Sequence, residues 1–126
     1  MAEDPLTAFP ATERAYREAG ARYLAGSGTS AFGTMPGISL HTELALLVRV
    51  GLTPREALAA ATGNYSALGP WRRLGRVAAG YDADLVLLDA DPTADIRNAK
   101  RVRAVVANGT YFDRAALDAL LARADR

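Results

Sequence analysis

The sequence contains no cysteine and only one histidine, His41, among its 126 residues. The lack of cysteine excludes disulfide bonds, thiolate zinc sites and cysteine nucleophiles. A transition-metal site needs three or four protein ligands, so His41 cannot hold such an ion by itself. None of the serines at 27, 30, 39 and 66 lies in the Gly-x-Ser-x-Gly setting of a nucleophile elbow. These absences narrow the chemistry that the chain's own side chains can supply.

The sequence also lacks an excess of one charge and a long apolar run. Fifteen Lys and Arg residues stand against fourteen Asp and Glu residues, which gives a formal net charge of +1. No broad field therefore draws the chain to nucleic acid or to an anionic membrane. Its apolar stretches end well short of the roughly 18 residues that a membrane span requires. The opening MAEDPLTAFP is acidic and polar, unlike a signal peptide, so we expect a cytoplasmic protein.

The first part of the chain has helical patterns separated by glycine. Residues 12–20 predict a short helix that ends at Gly20, and residues 21–25 (ARYLA) predict a brief buried strand. Ser39 is expected to cap a second helix. The apolar face of that helix recurs at Leu40, Leu44, Leu47, Val48 and Gly51. Gly51 is also expected to end the helix.

A third helix is predicted to begin at Thr53-Pro54-Arg55-Glu56. Threonine can accept a hydrogen bond from a free amide of the first turn, Pro54 occupies a position where no donor is needed, and Glu56 can reach back to the cap. The face of this helix is made of small residues, which allow close packing. These residues are Ala57, Ala60 and Ala61.

From residue 74 the pattern changes from helical to extended. LGRVAAGYDADLVLLD at 74–89 predicts two short strands around a turn at Gly80-Tyr81-Asp82, and VRAVVANGTYFD at 102–113 predicts a hairpin with Asn108-Gly109 at its tip. Asp113 is placed to cap a last helix. The inward face expected for that helix consists of Leu117, Leu120, Leu121 and Ala124.

The glycine-rich loop LAGSGTSAFG at 24–33 has two interpretations. The stretch from Gly26 to Ala31 fits the spacing G-x-G-x-x-G/A, in which backbone amides approach a phosphate at a helix N-terminus. That motif runs directly into a helix, whereas here Gly33, Pro36 and Gly37 intervene. The sequence also lacks the Gly-Lys-Ser/Thr of a Walker loop. We favour the second interpretation, in which the loop is the rim of an active site just past a strand.

Four stretches together resemble the amidohydrolase superfamily, in its imidazolonepropionase- and prolidase-like branch. LGRVAAGYDADLVLLDADP at 74–92 is similar to its C-terminal signature, and GLTPREALAAATGNYSALG at 51–69 to the helix pair before it. PGISLHTELALLVRVG at 36–51 resembles the last barrel helix of that branch. DIRNAKRVRAVVANGTYFDRAALDALLA at 95–122 resembles the closing hairpin and tail.

The resemblance implies an α/β fold with two parts. Residues 1–73 would form the last βα unit of a (β/α)8 barrel, and residues 74–126 the C-terminal part of a small β-sandwich that ends in a helix. The family's last barrel strand usually ends in an Asp that binds metal and shuttles a proton, and Gly28 occupies that position. His41 would lie on the substrate side of the barrel mouth. The family's other metal-binding residues have no counterparts in this sequence.

The function implied by the resemblance is hydrolysis of carbon–nitrogen bonds by metal-activated water, typically with zinc or another divalent metal. We expect this chain alone to hold no metal and to be inactive, with no intact catalytic residue. The alternative is a non-catalytic module derived from the same fold that associates with itself or with a partner. Both interpretations imply a homo-oligomer or a partner chain that supplies the rest of the barrel, because strand edges would otherwise be unpaired.

Two other groups of charged residues have plain structural interpretations. Asp82, Asp84, Asp89 and Asp91 lack the spacing of a calcium loop, with Asp84 in a strand and Asp89 starting a turn. Basic residues near Trp71 and after residue 99 are expected to be solvated edges rather than a nucleic-acid patch. These basic residues are Arg72, Arg73, Lys100, Arg101 and Arg103.

Overall fold

The chain forms helices in its first half, and a small sheet followed by a last helix in its second half. The computed structural model describes residues 5–29, 31–68, 70 and 73–124. The first half contains helices α1 (Pro5–Glu18), α2 (Ser39–Arg49) and α3 (Pro54–Ala61) and the 3₁₀ helix Gly63–Ala67. The second half contains β1 (Leu85–Leu88), the 3₁₀ helix Ile96–Lys100, β2 (Val102–Ala107), β3 (Thr110–Phe112) and α4 (Arg114–Ala124).

The junction between α2 and α3 follows the local sequence. The amide of Gly51 donates to Val48 O and that of Leu52 to Leu47 O. These bonds form a Schellman motif, and the φ of +106° at Gly51 suits glycine. Thr53 then caps α3, since its Oγ1 accepts from the Glu56 amide while the Glu56 carboxylate accepts from the Thr53 amide at 2.7 Å. Both boundaries are confirmed.

The expected Ser39 cap of α2 is wrong. Ile38 occupies the cap position without a side-chain hydrogen bond. The Ser39 hydroxyl instead accepts from the amide of Met35 at 2.8 Å, so it closes the preceding turn. A serine hydroxyl can bond to a nearby backbone amide instead of capping a helix, and here the Met35 amide, in the loop before the helix, is that partner.

The core lies between α2, α3 and the 3₁₀ helix Ile96–Lys100. Leu44 and Leu47 are buried on the predicted face of α2, with Leu40 and Val48 packed against the same cluster. On α3, Ala57 and Ala60 have no exposed surface, and Ala61 packs at the edge. Short alanine side chains let the neighbouring backbones approach closely, which confirms the predicted packing faces. The other buried members of the cluster are Ala25, Leu52, Ile96 and Ala99.

The sheet of the described residues is antiparallel, with strand order β1-β2-β3. Leu85 pairs with Val106, which in turn pairs with Tyr111. The predicted hairpin is confirmed, with Asn108 and Gly109 at φ of +47° and +77° in its tip. The tip is tied to the residues before β1, because the Asn108 amide donates to Asp84 Oδ1 at 2.6 Å.

Three expectations for the second half are wrong. Residues 74–79 form turns and bends instead of a first strand, and Asp84 precedes β1 instead of lying in a strand. Asp113 does cap α4 by accepting from the Ala116 amide, but Leu120 and Leu121 are 47% and 60% exposed. Helix α4 packs on β2 and β3, and this small hairpin covers only part of the helix surface.

None of the helices in the described ranges has the length and hydrophobicity to cross a bilayer.

Gly75 lies where two backbone segments meet. Its φ is +75°, and an added Cβ would collide with the carbonyl group of Thr62 and come within 2.9 Å of Gly63 N. Thr62 and Gly63 follow α3, so this contact holds the loop after residue 73 against the end of that helix. Backbone atoms cannot move aside as a flexible side chain can, and the site therefore requires glycine.

We predict that Gly75→Ala lowers the free energy of unfolding by about 1–3 kcal/mol more than Gly80→Ala does. Gly80 is the matched control, because its φ is +84° but a Cβ there meets nothing within 4 Å. The control should therefore cost only the backbone term of about 1 kcal/mol. Urea denaturation of both variants measures the difference, and equal losses would show that the contact between residues 75 and 62 does not exist in solution.

Candidate functional site

The site begins with an extended segment, residues 23–26, that lies along α3 and the 3₁₀ helix after it. The Ala25 amide donates to Ala60 O at 2.9 Å, and Tyr65 donates its hydroxyl to Ala25 O at 2.8 Å. Asn64 Nδ2 donates to Tyr23 O at 2.9 Å. Three hydrogen bonds with α3 and the 3₁₀ helix after it thus fix the backbone of this segment.

The predicted strand at residues 21–25 is wrong, because no strand pairs with it. The segment contains no ladder, and the backbone N–H and C=O of Leu24 have no hydrogen-bond partner in the described part of the chain. Successive residues of an extended chain direct their backbone groups to opposite sides. On one side of the segment, the carbonyl groups of Tyr23 and Ala25 and the Ala25 amide are hydrogen-bonded, whereas the side of Leu24 is a free edge in the described part of the chain.

A loop stabilised by its own hydroxyl groups follows this segment. Thr34 Oγ1 donates to both Gly28 O at 2.9 Å and Ala31 O at 2.7 Å. Ser27 Oγ and Thr29 Oγ1 are hydrogen-bonded to each other, and the Thr29 amide donates to Ser27 Oγ. The amides of Ala31 and Thr34 donate to loop carbonyl groups. Ser30 lies outside the described residues. The amides of Thr29, Ala31 and Thr34 are therefore engaged within the loop and are not free to bind a phosphate.

His41 lies in the first turn of α2, which the loop enters. Its backbone amide donates to Ile38 O, and its Nδ1 is buried with no hydrogen-bond partner in the described part of the chain. Burial lowers the pKa of His41 below the ordinary 6.5, and the positive charge of Lys100 lowers it further. The imidazole is accordingly neutral near pH 7, and a neutral ring can accept or donate a hydrogen bond.

The aspartates of the second half have structural partners. Asp82 forms an ion pair with Arg73 at 3.2 Å, and Asp89 with Arg103 at 3.4 Å. Asp91 accepts from the amide and hydroxyl of Thr93, and these hydrogen bonds lower its pKa. Arg73 and Arg103 of the candidate basic patch are thus paired, while Trp71 and Arg72 lie outside the described residues.

Comparison with known proteins identifies the family. The model of the amidohydrolase family matches residues 8–111, which is most of the sequence. The chain belongs to this family. The resemblance read from the sequence is therefore confirmed.

Three relatives show how much of an amidohydrolase the chain represents. It is 46% identical over 61 residues to an imidazolonepropionase of Rubrobacter xylanophilus, covering 44% of this chain and 15% of the relative. It is 40% identical over 75 residues to an ochratoxinase of Aspergillus niger, covering 57% and 16%. A solved structure of a prolidase-like protein from Bifidobacterium longum superposes with a TM-score of 0.73 at 34% identity, covering 93% and 30%. The chain thus spans less than a third of the length of these relatives.

The residues present do not fit the metal that the amidohydrolase family implies. In the part of the chain that the structure describes, no three His, Asp or Glu side chains converge on a common point. Gly28 offers only backbone atoms, and its carbonyl oxygen already accepts from Thr34 and from the Ala31 amide. No hydrogen bond between described residues joins the loop at Gly28 to the His41 ring.

Sequence reasoning missed Asn64 and Tyr65, which fix the extended segment. Both lie in the TGNYS stretch directly after α3, where a polar amide and a phenol follow a helix of small residues. Their partners lie 41 and 40 positions earlier, so no local pattern connects the two ends. The signal was the buried strand predicted at residues 21–25 without a second strand beside it, because buried backbone groups need hydrogen-bond partners elsewhere.

We predict that acid destabilises the chain through His41 and that His41→Leu removes this effect. Because the folded state lowers the pKa of the ring, the unfolded chain binds the proton more tightly, and stability falls as the pH drops below about 6.5. His41 is the only histidine, so few other groups titrate between pH 7 and 5.5.

Urea denaturation of both proteins across this pH range measures the difference. The wild-type free energy of unfolding should fall more steeply with acid than that of His41→Leu. Identical slopes would mean that the ring is solvated in the folded chain.

Proposed function

We propose that this chain forms the C-terminal wall of the active centre of an amidohydrolase-type hydrolase, and that the metal-binding residues come from outside these 126 residues. The family match over residues 8–111 carries the proposal. The bond cleaved is a carbon–nitrogen bond, in a cyclic amide or an Xaa-Pro dipeptide. The names of the relatives support this choice, since they include an imidazolonepropionase and a Xaa-Pro dipeptidase.

The arrangement of the first half supports its assignment to the end of a (β/α)8 barrel. An extended segment at residues 23–26 leads into a loop and then into α2, which is the order of a βα unit. Active sites of such barrels lie at the carboxyl ends of the strands, so we assign the loop after this segment to the rim of the active centre. The free backbone edge at Leu24 is what a neighbouring barrel strand would pair with. We also assign the antiparallel sheet of β1, β2 and β3 to the β-sandwich.

Within this active centre we assign different roles to Gly28 and His41. Gly28 stands at the position of the family's metal-binding Asp and supplies neither a ligand nor a base. We assign His41 a hydrogen bond to a polar group of the substrate, and its neutral ring and the lack of a described partner for Nδ1 support this role. The chain alone is therefore expected to be inactive.

A chimera tests the role of Gly28. Residues 21–111 of this chain would replace the matching segment of the Rubrobacter xylanophilus imidazolonepropionase, once as they stand and once with Gly28→Asp. The first chimera should lose metal and at least about 100-fold in kcat, because a carboxylate that serves as ligand and base is missing. The second should recover metal and much of the activity.

Metal content by mass spectrometry and hydrolysis of the enzyme's substrate are measured on both chimeras, with circular dichroism as the control for folding. If the chimera with Gly28 retains metal and activity comparable to the parent enzyme, Gly28 does not occupy the position of the acid.

A second candidate function is a non-catalytic module that binds a second copy or a partner chain. The observation that favours it is the exposure of large apolar side chains on and beside the sheet. Val86 is 57% exposed, Tyr111 61% and Leu121 60%. Strands β1 and β3 are also the edges of the described sheet, and unpaired edges favour strand addition.

Light scattering of the purified 126-residue polypeptide at micromolar concentration tests the association that both candidates imply. We expect an oligomer, and a stable monodisperse monomer would contradict association. Both candidates predict that this chain alone is metal-free and inactive, so metal content and hydrolysis are measured after the missing barrel part of the Rubrobacter xylanophilus enzyme is added. Bound metal with amide hydrolysis in the mixture favours the enzyme, whereas an unchanged, metal-free homo-oligomer favours the module.

A further inference from the structure

A concave surface lies at the start of the extended segment, whereas the Gly28 loop lies at its end. This groove has a volume of about 590 Å³ and is lined by the end of α1, the turn at residues 20–22, Tyr23 and part of α3. Small-molecule sites commonly have volumes of about 300–1,000 Å³. The groove therefore has room for a ligand of that class.

Three arginines line this groove without forming an ion pair in the described part of the chain. They are Arg14, Arg17 and Arg22. Arg14 and Glu18 lie one turn apart on α1, where such side chains commonly pair, yet their charged groups do not come within 4.0 Å. By contrast, four arginines of the second half each have an aspartate partner, as Arg97 does with Asp95.

The nearest acidic side chain on α3 is already engaged. Glu56 lines the groove, but its Oε2 accepts from both the amide and the hydroxyl of Thr53 as part of the α3 cap. These hydrogen bonds lower the pKa of Glu56, and Arg17 adds a smaller electrostatic contribution. The guanidinium groups of the groove therefore keep donors that no described carboxylate occupies.

Gly51 gives Arg17 a defined position. A Cβ on Gly51 would collide with Nη1 of Arg17, which shows that the guanidinium lies against the open side of this glycine. Arg17 also acts electrostatically on Tyr23, whose hydroxyl donates to the backbone oxygen of Glu13 at 3.2 Å. Arg17 thus approaches the groove from α1 while its guanidinium contacts the α2–α3 junction.

We propose that this groove binds a small anion, the phosphate or carboxylate group of a ligand, through Arg14, Arg17 and Arg22. Planar guanidinium groups bind phosphate and carboxylate oxygens in pairs of parallel hydrogen bonds. The site is separate from the loop at Gly28 and uses none of its residues. Binding here therefore does not depend on hydrolase activity.

Calorimetry tests the site with inorganic phosphate and citrate as probes, at constant ionic strength. Arg14→Ala combined with Arg22→Ala should raise Kd at least about tenfold, which is typical of losing charge-assisted hydrogen bonds. Arg49→Ala combined with Arg123→Ala is the matched control. It removes the same charge from the ends of α2 and α4, outside the groove, and should change Kd less than about twofold.

A measurement on the wild-type chain needs no variant. A phosphate or citrate titration followed by NMR should shift the amide signals of Ala21, Arg22 and Tyr23 and leave those of Thr110–Phe112 in place. A preference for phosphate or for citrate would identify the class of ligand. Equal loss of affinity in the two double variants would overturn the proposal, as would the absence of binding of either probe up to about 10 mM.

Discussion

The hydrogen bonds that hold residues 23–25 against α3 and the 3₁₀ helix after it are the constraint on which the first half depends. The Ala25 amide and carbonyl are both satisfied, by Ala60 O and the Tyr65 hydroxyl, and Ala25 is only 4% exposed. Buried backbone groups must have partners, so a segment without a neighbouring strand can be buried only where such donors and acceptors exist. The position of this segment fixes the loop at one end and the arginine-lined groove at the other.

Close packing makes those hydrogen bonds reachable. Ala57 and Ala60 are fully buried, and their short side chains allow the extended segment and the 3₁₀ helix Ile96–Lys100 to share one core with α2. On the other side of the α3 terminus, the Gly75 backbone packs against Thr62. Larger residues at these positions would separate the segments whose polar atoms must meet.

The features that the sequence predicts well depend on local interactions. The α3 capping box, the glycine that ends α2 and the Asn108-Gly109 turn each involve residues within five positions, and the structure contains all three. The strand at residues 21–25 was wrong because a strand depends on a neighbour that local sequence does not specify. The Ser39 cap was wrong because its hydroxyl makes a competing local hydrogen bond with the Met35 amide. The inward position of Leu120 was wrong because tertiary packing decides how much of an apolar helix face is covered. The roles of Gly28 and His41 stay predictions.

The candidate site is polar, and its described residues contain no cluster of metal ligands. Ser27 and Thr29 are hydrogen-bonded to each other, and Thr34 donates to loop carbonyl groups, so the loop keeps its shape without an acidic residue. The chain corresponds to less than a third of the relatives it resembles, and the free edge at Leu24 faces away from α3. A site assembled with residues from elsewhere fits both facts.

Amide hydrogen exchange within the extended segment tests this account most directly. Ala25 donates to Ala60 O whereas Leu24 has no described acceptor, so the Ala25 amide should be protected and the Leu24 amide should exchange rapidly. Tyr65→Phe removes one hydrogen bond to Ala25 O and should reduce Ala25 protection, with exposed Tyr111→Phe as the unaffected control. Equal exchange at Ala25 and Leu24, unchanged by Tyr65→Phe, would show that the segment is not held as described.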